Sequence, residues 1–310
     1  MRKTLWISLL AVGVAVRGLG QEPPGFTISD NVDLVLLDVS IKDARGGYAA
    51  DLKRDDFQVF DNGHKRVITH FSSVDTPVTI GLIVDNSGSM RPKRSEVVSS
   101  GLAFIRESNP QDEFFVLNFN NTVVPGLPGR ILFTDNLQLL RAALYYGEPV
   151  GQTALYDAVA YGLKHLELSR RDKRTLVVVS DGGDNVSKTR LPDLLRLLEG
   201  SRATVYTIGL YDPEDRNAHL GVLKKLSKLS GGKFFQPASL ADIPPVFDGI
   251  ARDIRNCYTL GYAPDDTKPN RNIHTVKVIA RENGRKLEVR TRTTYSVAPS
   301  SPAAGRRDRG

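Results

Sequence analysis

The stretch GLIVDNSGSM, Gly81–Met90, runs a continuous apolar segment straight into one carboxylate and two hydroxyls at alternate positions. The apolar run starts upstream, in VTIGLIV (78–84), and shows no alternation, which is the pattern of a strand covered on both faces. Asp85, Ser87 and Ser89 then follow at i, i+2 and i+4, with Gly88 between the serines. Small oxygen-bearing side chains grouped in this way serve a cation, an anion or a helix cap. The rest of the chain decides among these.

Downstream, strand-like and helix-like segments alternate. A helix is expected over about 94–107, stopping before Asn109-Pro110, followed by the strand FFVLNF (114–119) and a helix opened by Asp135. Another helix starts near Thr153, and TLVVVS (175–180) is the most strand-like run in the chain. Then come a helix near 191–198, the strand TVYTIGL, the helix HLGVLKKLSKLS, a short KFF strand and a last helix from about 240 to 255. This order predicts an α/β fold with a doubly wound, mainly parallel sheet over residues 76–255.

The flanks read differently. Residues 26–75 hold strands without helices: VDLVLLDVSIK, then DFQVF and KRVITHF joined across DNGH, a hairpin signal. Residues 256–296 repeat the pattern with CYTLGYA, then HTVKVIAR and RKLEVRTRTTY around ENG. Neither flank has enough strands for a core of its own, so the two are expected to pair into one small β-sandwich. The tail 297–310, rich in Pro, Ala, Ser, Gly and Arg, reads as disordered.

Residues 1–20 read as a secretory signal: a basic start, an apolar run from Leu5 to Val16, then Gly18 and Gly20. That run is too short for the roughly 20 residues a membrane-spanning helix needs. Arg17, close to the proposed cut, is the feature that favours the alternative of an uncleaved anchor. No later segment reads as a transmembrane helix, so the expected location is periplasmic or extracellular. The net charge is +7, of which Arg2, Lys3 and Arg17 supply three, and no basic stripe interleaved with aromatics argues for nucleic-acid binding. The single cysteine, Cys257, lies in an apolar stretch and reads as a buried small hydrophobe. His64, His70, His165, His219 and His274 lack metal-ligand spacing, and neither a phosphate-binding Gly loop nor a nucleophile elbow occurs.

Ligands of open α/β sheets bind outside the carboxyl ends of the strands. Asp85, Ser87 and Ser89 follow one strand, Asp181 in VVVSDGGDN follows another, and Thr153 in GQTALYDA opens a helix after a Gly-rich approach. Each has an ordinary structural alternative. Asp85 can close a turn, the serines can cap the next helix, Thr153 suits an N-cap, and DGGDN is a good turn by itself. Five such residues at the ends of the right strands weigh against coincidence. Asp184 and Asn185 read as turn residues at the rim, Asp157 as support for its helix and the Thr153 loop, and YDPEDRN (211–217) as a solvated loop. Asn120-Asn121-Thr122 and Asn185-Val186-Ser187 match a glycosylation pattern, which is irrelevant if the source is bacterial, and a glycan on the second would crowd the candidate site.

D-x-S-x-S, then G-x-T-x-x-x-D-A, then S-D-G resembles the metal-ion-dependent adhesion site of von Willebrand factor type A (VWA) domains. The whole chain also resembles the exported bacterial "VWFA-related Acidobacterial domain" family, through VDLVLLDVSIKDARG, LKRDDFQVFDNG and YTLGYAPDD. The first resemblance implies a divalent metal, Mg2+ with Mn2+ or Ca2+ as alternatives, at Asp85, Ser87, Ser89, Thr153 and Asp181. It implies that Ser87 and Ser89 bind the ion directly, that Thr153 does so directly or through water, and that the two aspartates hold metal-bound waters. The expected function is a non-enzymatic adhesion module that captures an Asp or Glu carboxylate of a protein partner. The alternatives are a metal-dependent hydrolase and a domain whose metal only stabilises its loops.

Overall fold

The computed structural model describes residues 34–181, 183–210, 220–264 and 273–296. The leader-like residues 1–20, residues 26–33, the 211–217 loop and the tail 297–310 lie outside the described residues.

The N-terminal flank forms β1 (Val35–Lys42), β2 (Phe57–Asp61), β3 (His64–Arg66) and β4 (His70–Ser72). Asn62 (φ 50°) and Gly63 (φ 83°) join β2 to β3, the two left-handed residues that a tight hairpin turn requires. KRVITHF is two strands rather than one: β3 pairs with β2, whereas β4 joins a different sheet. The chain crosses between sheets at 67–69, with Val67 79% exposed and Ile68 buried between them. Thr69 fixes the bend by donating both its N–H and its hydroxyl to the Gly261 carbonyl.

The central segment follows as β5 (Val78–Asp85), α1 (Arg94–Glu107), β6 (Glu113–Phe119), β7 (Val123–Pro125) and α2 (Leu137–Tyr145). It continues with α3 (Leu155–Leu166), β8 (Lys173–Ser180), α4 (Leu191–Gly200), β9 (Thr204–Gly209), α5 (Leu220–Ser230), β10 (Phe234–Phe235) and α6 (Ile243–Arg255). Among the described residues the sheet order is β10-β9-β8-β5-β6-β7, parallel except for β7. Every residue of β5 is buried, as its unalternating apolar run requires. Two helix starts differ from the sequence reading. The α2 cap is Asn136 rather than Asp135; its Oδ1 accepts from the N–H groups of Gln138 and Leu139. The last helix begins at Ile243 because Pro244 and Pro245 lack the N–H groups an interior turn needs, and Leu240–Asp242 form a separate 3-10 turn.

The C-terminal flank supplies β11 (Cys257–Tyr262), β12 (Ile273–Glu282), β13 (Arg285–Lys286), β14 (Glu288–Arg290) and β15 (Thr294–Ser296). One sheet has the order β14-β1-β11-β4; the other has β13-β12-β2-β3, with β15 paired to β12. Each sheet therefore draws strands from both flanks, around a core that includes Leu37, Val39, Val59, Leu260, Tyr262, Val278 and Ala280. RKLEVRTRTTY is three short strands rather than one. Arg292 interrupts it: it is 8% exposed and donates to the Ser201 carbonyl at 2.6 Å, outside the ladder.

Candidate metal centre

β5 and β8 are sheet neighbours, with Val84 opposite Val179. The chain leaves β5 towards β6 on one side and leaves β8 towards β9 on the other, so a crevice opens at their carboxyl ends. Asp85, the last residue of β5, is 0% exposed. Its Oδ1 accepts the Ser87 N–H at 2.8 Å and its Oδ2 accepts the Ser180 hydroxyl at 2.6 Å. Burial and the nearby Asp181 carboxylate push the Asp85 acid up to about 6, against the opposing hydrogen bonds from Ser180 and Ser87. Asp181 directly follows β8 and is 5% exposed.

Asp85 does close a turn, but the serine hydroxyls are not helix caps. Ser87 occupies the cap position of the Gly88–Met90 turn without a side-chain capping bond, and the cap position of α1 is Lys93. The Ser87 and Ser89 hydroxyl oxygens stand 3.1 Å apart, with Ser87 buried and Ser89 exposed.

The 147–153 loop is stitched to this edge through backbone groups. Gly88 N–H donates to the Gly151 carbonyl at 3.1 Å and Val150 N–H to the Asn86 carbonyl at 3.0 Å. Gly151 has φ 83°, and a β-carbon there would collide with Asn121, whose side chain accepts the Gln152 N–H. Thr153 and Asn185 exchange two bonds: Thr153 N–H to Asn185 Oδ1 at 2.9 Å and Asn185 N–H to the Thr153 carbonyl at 3.0 Å.

Thr153 does not cap α3. The first-turn N–H groups of Tyr156 and Asp157 donate instead to Asp184 Oδ1 and Ser187 Oγ, both at 3.0 Å. Asp157 in return accepts the N–H groups of Lys188 and Thr189. Sequence reading placed Asp184 and Asn185 only in a turn and missed Ser187 and Asn121 as supports. Asp and Ser are both capping residue types, yet nothing local shows that the helix they serve lies about thirty residues upstream. Asp184→Ala is expected to cost about 1 kcal/mol, the usual value of a lost cap, measurable by urea unfolding.

These residues suit a divalent ion with oxygen ligands. Two oxygens on adjacent octahedral corners, each about 2.1 Å from Mg2+, lie about 3 Å apart, close to the separation of the two serine hydroxyls. Asp181 Oδ2 is buried and receives no hydrogen bond among the described residues, a cost that a water held by a metal would remove. No group of three or more His, Cys, Asp or Glu side chains among the described residues is placed to hold a metal. An ion here would depend on hydroxyls.

A family profile for the von Willebrand factor type A domain matches residues 80–183, from β5 to just past β8. The chain contains a VWA domain. A VWA protein from Catenulispora acidiphila is similar in fold, with a TM-score of 0.50 and 12% identity over 78% of this chain and 73% of that one. A point mutant of the PilB minor pilin from Streptococcus sanguinis matches with a TM-score of 0.50 and 12% identity, over 58% of this chain and 62% of the pilin. An uncharacterized protein of Borreliella burgdorferi is 25% identical over 169 residues, 52% of this chain and 46% of its own length. The match thus spans under half of that relative. The switch-point crevice described above lies within the VWA segment.

Proposed function

We propose that this VWA domain captures an acidic side chain of a protein partner through a divalent cation at the β5/β8 edge, and that the protein works outside the cytoplasm. VWA domains bind protein partners, and the leader-like composition of residues 1–20 supports export. The observation that carries the metal reading is the buried Asp181 Oδ2, which faces Lys93 Nζ at 3.7 Å but accepts no hydrogen bond among the described residues, beside the paired Ser87 and Ser89 hydroxyls. Ser87 and Ser89 would hold the ion directly, Thr153 directly or through water, and Asp85 and Asp181 through waters. Mg2+ or Mn2+ suits such ligands better than Ca2+. The bound ion would supply an electrophilic centre for a carboxylate oxygen, and exposed Ser89 leaves the site open to an incoming side chain.

The same geometry favours binding over hydrolysis. The Asp85 carboxylate accepts the Ser87 N–H and the Ser180 hydroxyl, and in this reading its remaining lone pairs orient the ion's waters, so it serves to build the metal site rather than to act as a free general base. Among the described residues no helix is long and apolar enough to cross a membrane. Calorimetric titration with Mg2+ and Mn2+ tests the reading: wild type should show one saturable site and Asp181→Ala none. No heat at millimolar metal in wild type would sink it.

A further inference from the structure

The Lys93 side chain lies buried against the proposed metal centre. The residue is 8% exposed; its Nζ stands 3.7 Å from Asp181 Oδ2 and donates to the Leu210 carbonyl at 3.3 Å. Its backbone is fixed by the turn that carries the serines: Lys93 N–H donates to the Met90 carbonyl, and Val97 N–H to the Lys93 carbonyl. The neighbouring cations are directed elsewhere. Arg94 donates to the carbonyls of Leu144 and Tyr146, and Arg91 to that of Pro149. The crevice therefore brings together two carboxylates, Asp85 and Asp181, and the Lys93 ammonium paired with one of them.

Burying an ammonium is costly unless a carboxylate faces it, and the Asp181 carboxylate does so. A divalent ion drawn to the same carboxylates would meet this positive charge at close range in a poorly hydrated site, where like charges repel strongly. Lysine carries its charge on a flexible four-carbon stem and can swing towards water without moving the backbone. We propose that Lys93 is a built-in competing cation: it neutralises the metal-free crevice, and an incoming divalent ion must displace it. This rests on the metal reading above and extends it, since the competition sets how much free metal is needed to arm the site. Displacement also removes a donor from the Leu210 carbonyl, just past the end of β9, so metal loading is linked to that edge of the sheet.

The test is calorimetric titration of Mg2+ and Mn2+ into wild type, Lys93→Met and Lys93→Arg, with melting curves in chelator and in saturating metal. Lys93→Met keeps the stem and removes the charge. It should bind metal about tenfold or more tightly, because the repulsion and the displaced ion pair are both gone. It should also melt lower than wild type in chelator and gain more from Mg2+. Lys93→Arg, which keeps the charge, should stay close to wild type in affinity. Should Lys93→Met fold poorly, Lys93→Gln retains a donor for the Leu210 carbonyl and gives the same ranking. If wild type binds metal and the neutral variants bind it equally or more weakly, the competition is overturned while the metal reading stands. If neither wild type nor any variant binds, both fall.

Discussion

Asp253→Ala is expected to lower the stability of the folded chain by about 3–5 kcal/mol, the range for removing one partner of a buried ion pair. Asp253 is 2% exposed on α6 and ties that helix to three strands and to the loop carrying Tyr48. Its Oδ1 accepts the hydroxyls of Ser40 on β1 at 2.9 Å and of Tyr48 at 3.1 Å, while its Oδ2 accepts the Tyr206 hydroxyl on β9 at 2.5 Å and the Arg290 guanidinium on β14. Alanine would leave Arg290, only a quarter exposed, facing three hydroxyls without a counter-ion. Burial alone would raise the Asp253 acid, but Arg290 and the hydroxyls outweigh it and hold the carboxyl below the ordinary aspartate range. Stability from a depressed carboxyl is present above the unfolded value, about 3.9, and is lost as pH falls through the folded one. Urea unfolding at pH 7 should therefore show the full deficit for Asp253→Ala, and the deficit should shrink towards pH 3. For a unit of this size each kcal/mol shifts the melting point by roughly 2–4 °C, so a fall of about 10 °C is the thermal counterpart. A loss under about 1 kcal/mol would mean that the apolar face of α6, with Phe247, Ile250 and Ile254, holds the helix to the rest alone.

What was legible in the sequence follows from the range of the interactions involved. The doubly wound sheet is local information: the buried run of β5, the α1 boundaries at Arg94 and Glu107 and the Asn62-Gly63 turn are written in neighbouring residues. So is the placement of Asp85 and Asp181 at the ends of two strands that turn out to be neighbours across the switch point. What failed depends on partners far away in the chain. The crossing at Val67–Thr69 is fixed by a carbonyl 192 residues downstream, and Arg292 leaves its strand for a carbonyl 91 residues upstream. Nothing local singles out Asp253 on α6, because its role needs residues from both flanks. Lys93 carries no local signal of its role, because only the fold brings Asp181 and the Leu210 carbonyl, at the ends of β8 and β9, against it.

Asp85→Asn should bind no Mg2+ and yet, in chelator at pH 7, be more stable than wild type. The expectation follows from two carboxylates sharing one buried edge. In the metal-free fold, burial and Asp181 hold the Asp85 acid up at about 6. A raised folded value means that stability is fully present below the unfolded value, near about 3.9, and is lost as pH rises towards 6. By pH 7 the loss amounts to about 3 kcal/mol for a shift of roughly two units. Asparagine abolishes this cost but offers one acceptor where the carboxylate offered two, to Ser87 N–H and the Ser180 hydroxyl, so the net gain is about 1–2 kcal/mol. Melting curves in chelator from pH 4 to 7 should fall for wild type across this window and stay flatter for Asp85→Asn. Saturating Mg2+ should then raise the melting point of wild type alone, because only an ionised Asp85 can hold the ion's waters in place. If Asp85→Asn instead melts well below wild type in chelator, the carboxylate is a structural acceptor first, and the crevice is built for the turn rather than for a cation.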